Sequence, residues 1–137
     1  MKIVWHIARI LLGLMFLVFG LNGFLHFIPM PPPDPMSLAG KFGAALGASH
    51  FFTVVFAIQL TGGVLLLIGR FVALGLNILG PIIVGILCYH ILMDPKGLWP
   101  MPILVTVLWI VVASRTRGYL AAIFQPRPDV LPNSERV

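Results

Sequence analysis

A few histidines and carboxamides lie inside stretches of sequence that are otherwise apolar, and these are the side chains most able to do chemistry. Asn22 and His26 are four residues apart in the first such stretch, so on a helix they would project from one face. An imidazole titrates near neutral pH, whereas a carboxamide donates and accepts hydrogen bonds without titrating. The pair therefore predicts a site that binds a polar group or handles protons.

The composition places this site in a membrane. The chain of 137 residues is 59% hydrophobic and 9% charged, whereas soluble domains are about 25% charged. The net charge of +5 therefore belongs to loops and tails, and we expect no nucleic-acid partner. Because Cys88 is the single cysteine, neither an internal disulfide nor a CxxC redox centre can form within the chain.

Four apolar stretches predict transmembrane helices. They cover about residues 4–28, 50–68, 71–93 and 99–113, the last with an extension to 124 before Pro126. The first three are long enough for a hydrocarbon core of about 30 Å. Only Gly69 and Arg70 separate the second and third stretches, so these must form an antiparallel hairpin. We predict an all-α integral membrane fold, a four-transmembrane-helix bundle in one domain (1–124), followed by a cytoplasmic tail (125–137).

The connection between the first two spans has two parts. Its first part is rich in proline, which lacks the N–H group that a helix needs, and should be extended. In its second part Ser37 is a plausible N-cap for a run of apolar residues at helical spacing. This predicts a short helix at the membrane surface between spans one and two.

The basic residues predict the orientation. Seven lie on one side of the predicted membrane: Lys2, Arg9, Arg70, Arg115, Arg117, Arg127 and Arg136. The other side has two, Lys41 and Lys96. Because cytoplasmic loops carry an excess of Lys and Arg, both termini are predicted to be cytoplasmic in a multi-pass protein of a cytoplasmic membrane.

This orientation places several polar side chains in the outer half of the bundle. The predicted ligand-binding residues are Asn22, His26, His50, Gln59 and His90. Each has a simpler interpretation: Asn22 and Gln59 as hydrogen bonds between helices, the histidines as structural or interfacial residues. Asn77 alone lies toward the cytoplasmic side, one turn before Pro81, and is predicted to satisfy the carbonyl group that the proline leaves unpaired.

Three kinds of ligand could use these side chains. A metal is not expected, because HxxxH and HExxH spacings are absent and acidic residues are few. Haem is a weaker alternative, since His26 and His90 would have to face one pocket. A quinone head group fits better, because it needs one or two hydrogen-bonding side chains and an apolar, aromatic slot. Phenylalanines are available at the same depth: Phe24, Phe27, Phe51, Phe52 and Phe56.

The sequence resembles the DoxX-like family of small four-span bacterial membrane proteins over about residues 7–117. The resemblance rests on three segments: Ala8-Arg9-Ile10-Leu11-Leu12-Gly13, Phe19-Gly20-Leu21-Asn22-Gly23, and Gln59-Leu60-Thr61-Gly62-Gly63 with the apolar run that follows it. It implies the bacterial inner membrane and, in some members, a membrane subunit of quinone-linked sulfur oxidation or a partner of redox-defence enzymes. The family often has a glutamate where this chain has Gln59, and a neutral amide cannot exchange a proton.

Three functional hypotheses follow. The first is a quinone-linked redox membrane subunit, an oxidoreductase component whose electrons come from a partner protein. The second is a non-catalytic membrane anchor or assembly factor that docks a partner on the loop from Pro29 to Ser49. The third is a carrier of small solutes or protons, which would have to oligomerise to form a pathway. Beyond the lipid bilayer, we therefore expect a protein partner or a homo-oligomer.

Overall fold

The computed structural model describes residues 1–124, and the predicted tail, 125–137, lies outside the described residues. Five α-helices make up most of the described chain: α1 (Lys2–Leu25), α2 (Leu38–Ala48), α3 (Phe51–Ile68), α4 (Val72–Leu92) and α5 (Met101–Ala121). Short 3-10 segments at Pro95–Leu98 and Ala122–Phe124 precede and follow α5. Residues 1–124 contain no β-strand.

Four of these helices are long and apolar enough to cross a membrane. They are α1, α3, α4 and α5 with its 3-10 extension, of 24, 18, 21 and 24 residues. Their outward faces carry many exposed leucine, isoleucine, valine and phenylalanine side chains, as expected where lipid is the solvent. The predicted all-α, four-span fold is confirmed, and the protein is a multi-pass membrane protein.

The four spans pack as a closed ring around a small apolar core. Helix α1 contacts α3 and α5, and α4 contacts the same two helices. The fully buried core side chains are Leu12, Leu66, Leu76, Leu79 and Val112. Helices α1 and α3 approach closely at Gly13 and Gly63, where a Cβ atom on Gly63 would lie 2.9 Å from the Gly13 carbonyl oxygen. Glycine allows this approach because it has no side chain, and close packing matters here because lipid provides no hydrophobic force between helices.

The end of the bundle that carries the α3–α4 connection is called the turn end. Helix α3 stops at Gly69, which has a φ of 76°, a left-handed conformation that favours glycine. The Arg9 guanidinium of α1 donates to the carbonyl groups of Leu66 and Leu67, which lack partners within α3 because the helix ends there. A positive charge at the C-terminus of α3 also opposes the helix dipole.

The opposite end is called the loop end. There α1 stops at Leu25, three residues before the predicted boundary, and His26 takes a left-handed conformation with a φ of 52°. The buried Asn22 side chain holds this reversal: its Oδ1 accepts from the Ile28 N–H at 2.6 Å, and its Nδ2 donates to the Ile28 carbonyl at 3.3 Å. These bonds satisfy the backbone that leaves the helix.

The predicted helix after Ser37 is confirmed as α2. The Ser37 hydroxyl accepts from the Gly40 N–H at 3.0 Å, so the serine is the N-cap. Asp34 organises the preceding turn, where its carboxylate accepts from the Met36 N–H at 2.9 Å. Gly40 lies directly against the Asp34 backbone, with no room for a Cβ atom. The proline-rich segment and α2 are thus joined as one cover at the loop end.

Candidate functional site

A cavity of about 930 Å³ lies between this cover and the α3–α4 hairpin. Its walls are predominantly apolar, with prolines from the proline-rich segment, small residues from α2, and aliphatic and aromatic side chains from α3 and α4. The cavity forms because α2 packs against α3 while glycines on α2 and α4 leave space. Gly43 and Gly85 both line it, and no atom lies within 4 Å of a Cβ built on either.

Aromatic rings form much of the cavity wall. Phe52 and Phe56, one turn apart on α3, stack with ring centroids 5.7 Å apart and an interplanar angle of 19°. Phe42 of α2 faces Tyr89 of α4 with centroids 6.0 Å apart. These contacts connect the cover to the hairpin, and they present flat, polarisable surfaces to anything in the cavity.

The Gln59 carboxamide is the most deeply buried polar group that lines the cavity. Its residue is 8% exposed, and its side chain makes no hydrogen bond to residues 1–124. Among residues 1–124 the fully enclosed side-chain N or O atom without a partner is Arg9 Nε, so the polar atoms of Gln59 remain accessible from the cavity. Gln59 therefore presents unused donors and an unused acceptor to the cavity.

His90 lines the same cavity from α4 and is held by the loop that follows its helix. Its Nδ1 lies 3.3 Å from the Asp94 carbonyl oxygen and 3.7 Å from the Asp94 carboxylate. With the proton on Nδ1, the ring donates to Asp94 and its Nε2 becomes an acceptor. Gly97 packs against this pair, because a Cβ on it would lie 2.7 Å from the imidazole.

Tyr89 is a cavity residue that the sequence analysis did not select. It is partly buried, and its ring meets the His90 ring edge-on at 5.0 Å. Consecutive residues on a helix point about 100° apart, so they share a cavity only where its wall is wide. The adjacency of tyrosine and histidine was the available signal, but it did not show which face of α4 the cavity occupies.

The structure brings together two of the five predicted site residues. Gln59 and His90 line the cavity, whereas Asn22, His26 and His50 do not. Asn22 is buried against the Ile28 backbone. His26 and His50 are exposed at helix ends, both with left-handed backbone conformations. Of the predicted phenylalanines, Phe51, Phe52 and Phe56 line the cavity, and Phe24 packs edge-on against Phe56.

The described residues favour hydrogen bonding to an uncharged ligand. Within residues 1–124, no group of three or more His, Cys, Asp or Glu side chains is arranged to hold a metal ion. The polar side chains at the cavity are a carboxamide, a phenol and an imidazole, so none carries a fixed charge. This arrangement suits a ligand that is mainly apolar and has a small polar head.

Comparisons of the chain with protein-family models, with curated proteins and with solved structures gave no match. The fold and the cavity define a multi-pass membrane protein with an apolar, aromatic cavity at the loop end of its bundle. The particular function is inferred from that cavity.

Proposed function

We propose that the cavity binds a quinone, and that the protein is a membrane subunit of a quinone-linked oxidoreductase. The observation that carries this proposal is the Gln59 carboxamide, which is 8% exposed and has no hydrogen-bond partner within residues 1–124, in a cavity walled by aromatic rings. A quinone carbonyl oxygen accepts a hydrogen bond, and its ring stacks on aromatic side chains. The DoxX-like resemblance supports the same class of ligand.

The size of the cavity agrees with this ligand. Its volume of about 930 Å³ is near the upper end of the range for small-molecule sites, about 300–1,000 Å³. A head group of one ring would occupy only part of it. The remainder of the cavity, lined by proline and aliphatic side chains, suits an isoprenoid tail. The quinone would enter through a side opening of the cavity toward lipid.

The polar residues would have separate tasks. Gln59 would donate from its Nε2 to one carbonyl oxygen and orient the ring, but a carboxamide cannot exchange a proton at neutral pH. His90 would be the residue that passes a proton to or from the bound ring, and Asp94 holds the imidazole in place through Nδ1. A bound quinone would supply two-electron acceptor chemistry. The electrons would come from a partner oxidoreductase, since this chain can form no dithiol centre.

The orientation and location are part of the proposal. Five of the seven basic residues on the predicted cytoplasmic side belong to the described part of the chain: Lys2, Arg9, Arg70, Arg115 and Arg117. They lie at the turn end or beside it. With the turn end cytoplasmic, both termini are cytoplasmic in a bacterial inner membrane, and the cavity opens in the outer half of the bilayer.

A second candidate function is supported by the surface of the cover. Apolar side chains are exposed along it, including Met30 at 61%, Met36 at 76% and Leu38 at 68%. Such a patch is typical of a protein or membrane contact. A non-catalytic anchor would use it to hold a partner, and its test is co-purification of that partner with Met36→Ser/Leu38→Ser variants, which lie outside the cavity wall, and with His90→Leu.

The proposed function is tested by mass spectrometry of organic extracts from protein purified in a mild detergent. We expect about one quinone per chain in the native sample, and loss of most of it in Gln59→Leu and His90→Leu. His26→Leu is the matched control, because it removes an exposed imidazole at the same end of the bundle. Only bulk lipid in the native sample, or equal quinone in all variants, would refute the proposal.

A further inference from the structure

Asn77 lies on an exposed face of α4 and does not line the cavity, although Pro81 of the same face does. This face consists of exposed residues at alternating spacings of three and four: Leu74, Asn77, Pro81, Val84, Cys88 and Ile91. Such spacing keeps residues on one side of a helix. The face is apolar except for Asn77, and in a membrane-spanning helix it would meet lipid.

The depth of Asn77 makes its exposure costly. It is five residues beyond Val72, the first residue of α4, which places it about 7.5 Å along the helix. Because α4 has 21 residues and is about as long as a hydrocarbon core is thick, we expect the Asn77 side chain to lie below the headgroup region. In hydrocarbon a carboxamide finds no donor or acceptor, so polar residues within spans almost always face protein or a water-filled cavity.

Three hydroxyl-bearing side chains on the spans reduce this cost by bonding within their own helices. The hydroxyl groups of Thr61, Thr106 and Ser114 donate to carbonyl oxygens of their own helices at 2.7–2.8 Å. Asn77 makes no side-chain hydrogen bond to residues 1–124. The predicted contact between Asn77 and the carbonyl freed by Pro81 is therefore not formed, and its carboxamide needs a partner from another molecule.

We infer that this partner is a second copy of the chain, packed along the same face of α4 about a two-fold axis parallel to the membrane normal. A carboxamide is self-complementary, because the Nδ2 of each copy can donate to the Oδ1 of the other. Two copies inserted in the same orientation bring the two Asn77 residues to the same depth, and symmetry makes the interface isologous. This inference is independent of the proposed quinone function.

The chain contains its own reporter for this interface. Cys88 is its single cysteine, it is exposed, and it lies three helical turns from Asn77 on the same face. A dimer along α4 places the two thiols near each other. Val107 of α5, which is 50% exposed on another face of the bundle, should remain far from its copy.

The experiment is cross-linking in native membranes with a short bismaleimide. We expect the unmodified chain to form a covalent dimer through Cys88. Asn77→Leu should weaken dimerisation by about tenfold, as the loss of two reciprocal hydrogen bonds in lipid implies, whereas Asn77→Gln should retain most of it. The control is Val107→Cys in a Cys88→Ser background, which should give little dimer.

Resonance energy transfer between two differently labelled copies in liposomes provides a measurement that does not depend on cysteine geometry. Transfer that falls in Asn77→Leu and persists in Asn77→Gln supports the inference. Equal cross-linking of Cys88 and of Val107→Cys would indicate random collision. That result, or a dimer unaffected by Asn77→Leu, or a protein that stays monomeric by both measurements, would overturn the inference and leave lipid or another protein as the occupant of this face.

Discussion

Gln59 of α3 and His90 of α4 line one cavity from two adjacent helices that run in opposite directions. Gln59 is near the middle of its helix, and His90 is close to the loop end of its own. A ligand between them is therefore bound at two depths, with a buried carboxamide at one and an imidazole held by Asp94 at the other. This relationship makes the effects of single substitutions separable.

Substitution of Gln59 by leucine should lower the affinity for quinone without lowering the stability of the protein. Gln59→Leu removes a buried carboxamide that has no partner within residues 1–124, so the ligand-free protein should be as stable as the native protein or slightly more so. Affinity for a short-tailed benzoquinone, measured by fluorescence titration, should fall about tenfold with the lost hydrogen bond.

Thr61→Val is the matched control for Gln59→Leu, because Thr61 is exposed and bonds the Ala57 carbonyl of its own helix at 2.8 Å. Its affinity should be unchanged. If Gln59→Leu binds the quinone as tightly as Thr61→Val does, the carboxamide does not contact the ligand.

Gly97 should affect His90 without touching the ligand. In Gly97→Ala the new Cβ would lie 2.5 Å from the Asp94 carboxylate and 2.7 Å from the His90 ring, closer than van der Waals contact allows. The ring must shift, so quinone affinity should fall severalfold while the four spans still fold. Gly118→Ala has open space around its Cβ and should bind normally. If the two variants bind quinone with the same affinity, the position of the His90 ring does not affect binding.

Asn22 should prove important for stability rather than for binding. Asn22→Ala removes both partners of the Ile28 backbone, and the cost of leaving these groups unpaired is about 1–3 kcal/mol. We expect a lower midpoint of thermal unfolding in detergent, and quinone affinity within about twofold of native for the protein that remains folded. His26→Ala, four residues later and exposed, should unfold at the native temperature.

The contact between α1 and α3 should tolerate no added volume. In Gly63→Ala the Cβ would meet the Gly13 carbonyl oxygen and the Leu17 N atom, each at 2.9 Å, so the two helices must separate. Overpacking of this kind costs about 1–3 kcal/mol. Gly43→Ala on α2 meets nothing within 4 Å and should be neutral or stabilising, since alanine favours helix. The two variants can be compared by unfolding in a mixed-micelle denaturant series, where equal midpoints would contradict the close packing.

The sequence by itself determined the four spans, the tight α3–α4 turn and the helix that begins after Ser37. These features depend on hydropathy and capping over short stretches of chain, and such signals are local.

The tertiary structure decided which polar residues meet. Asn22 and His26 share a face only while the helix continues, but α1 ends at Leu25 and Asn22 binds its own backbone instead. Gln59, His90 and Tyr89 share a cavity because of how α3 and α4 rotate against each other and where α2 covers them. Helix rotation and the placement of a cover are set by packing between distant parts of the chain, which no local pattern specifies.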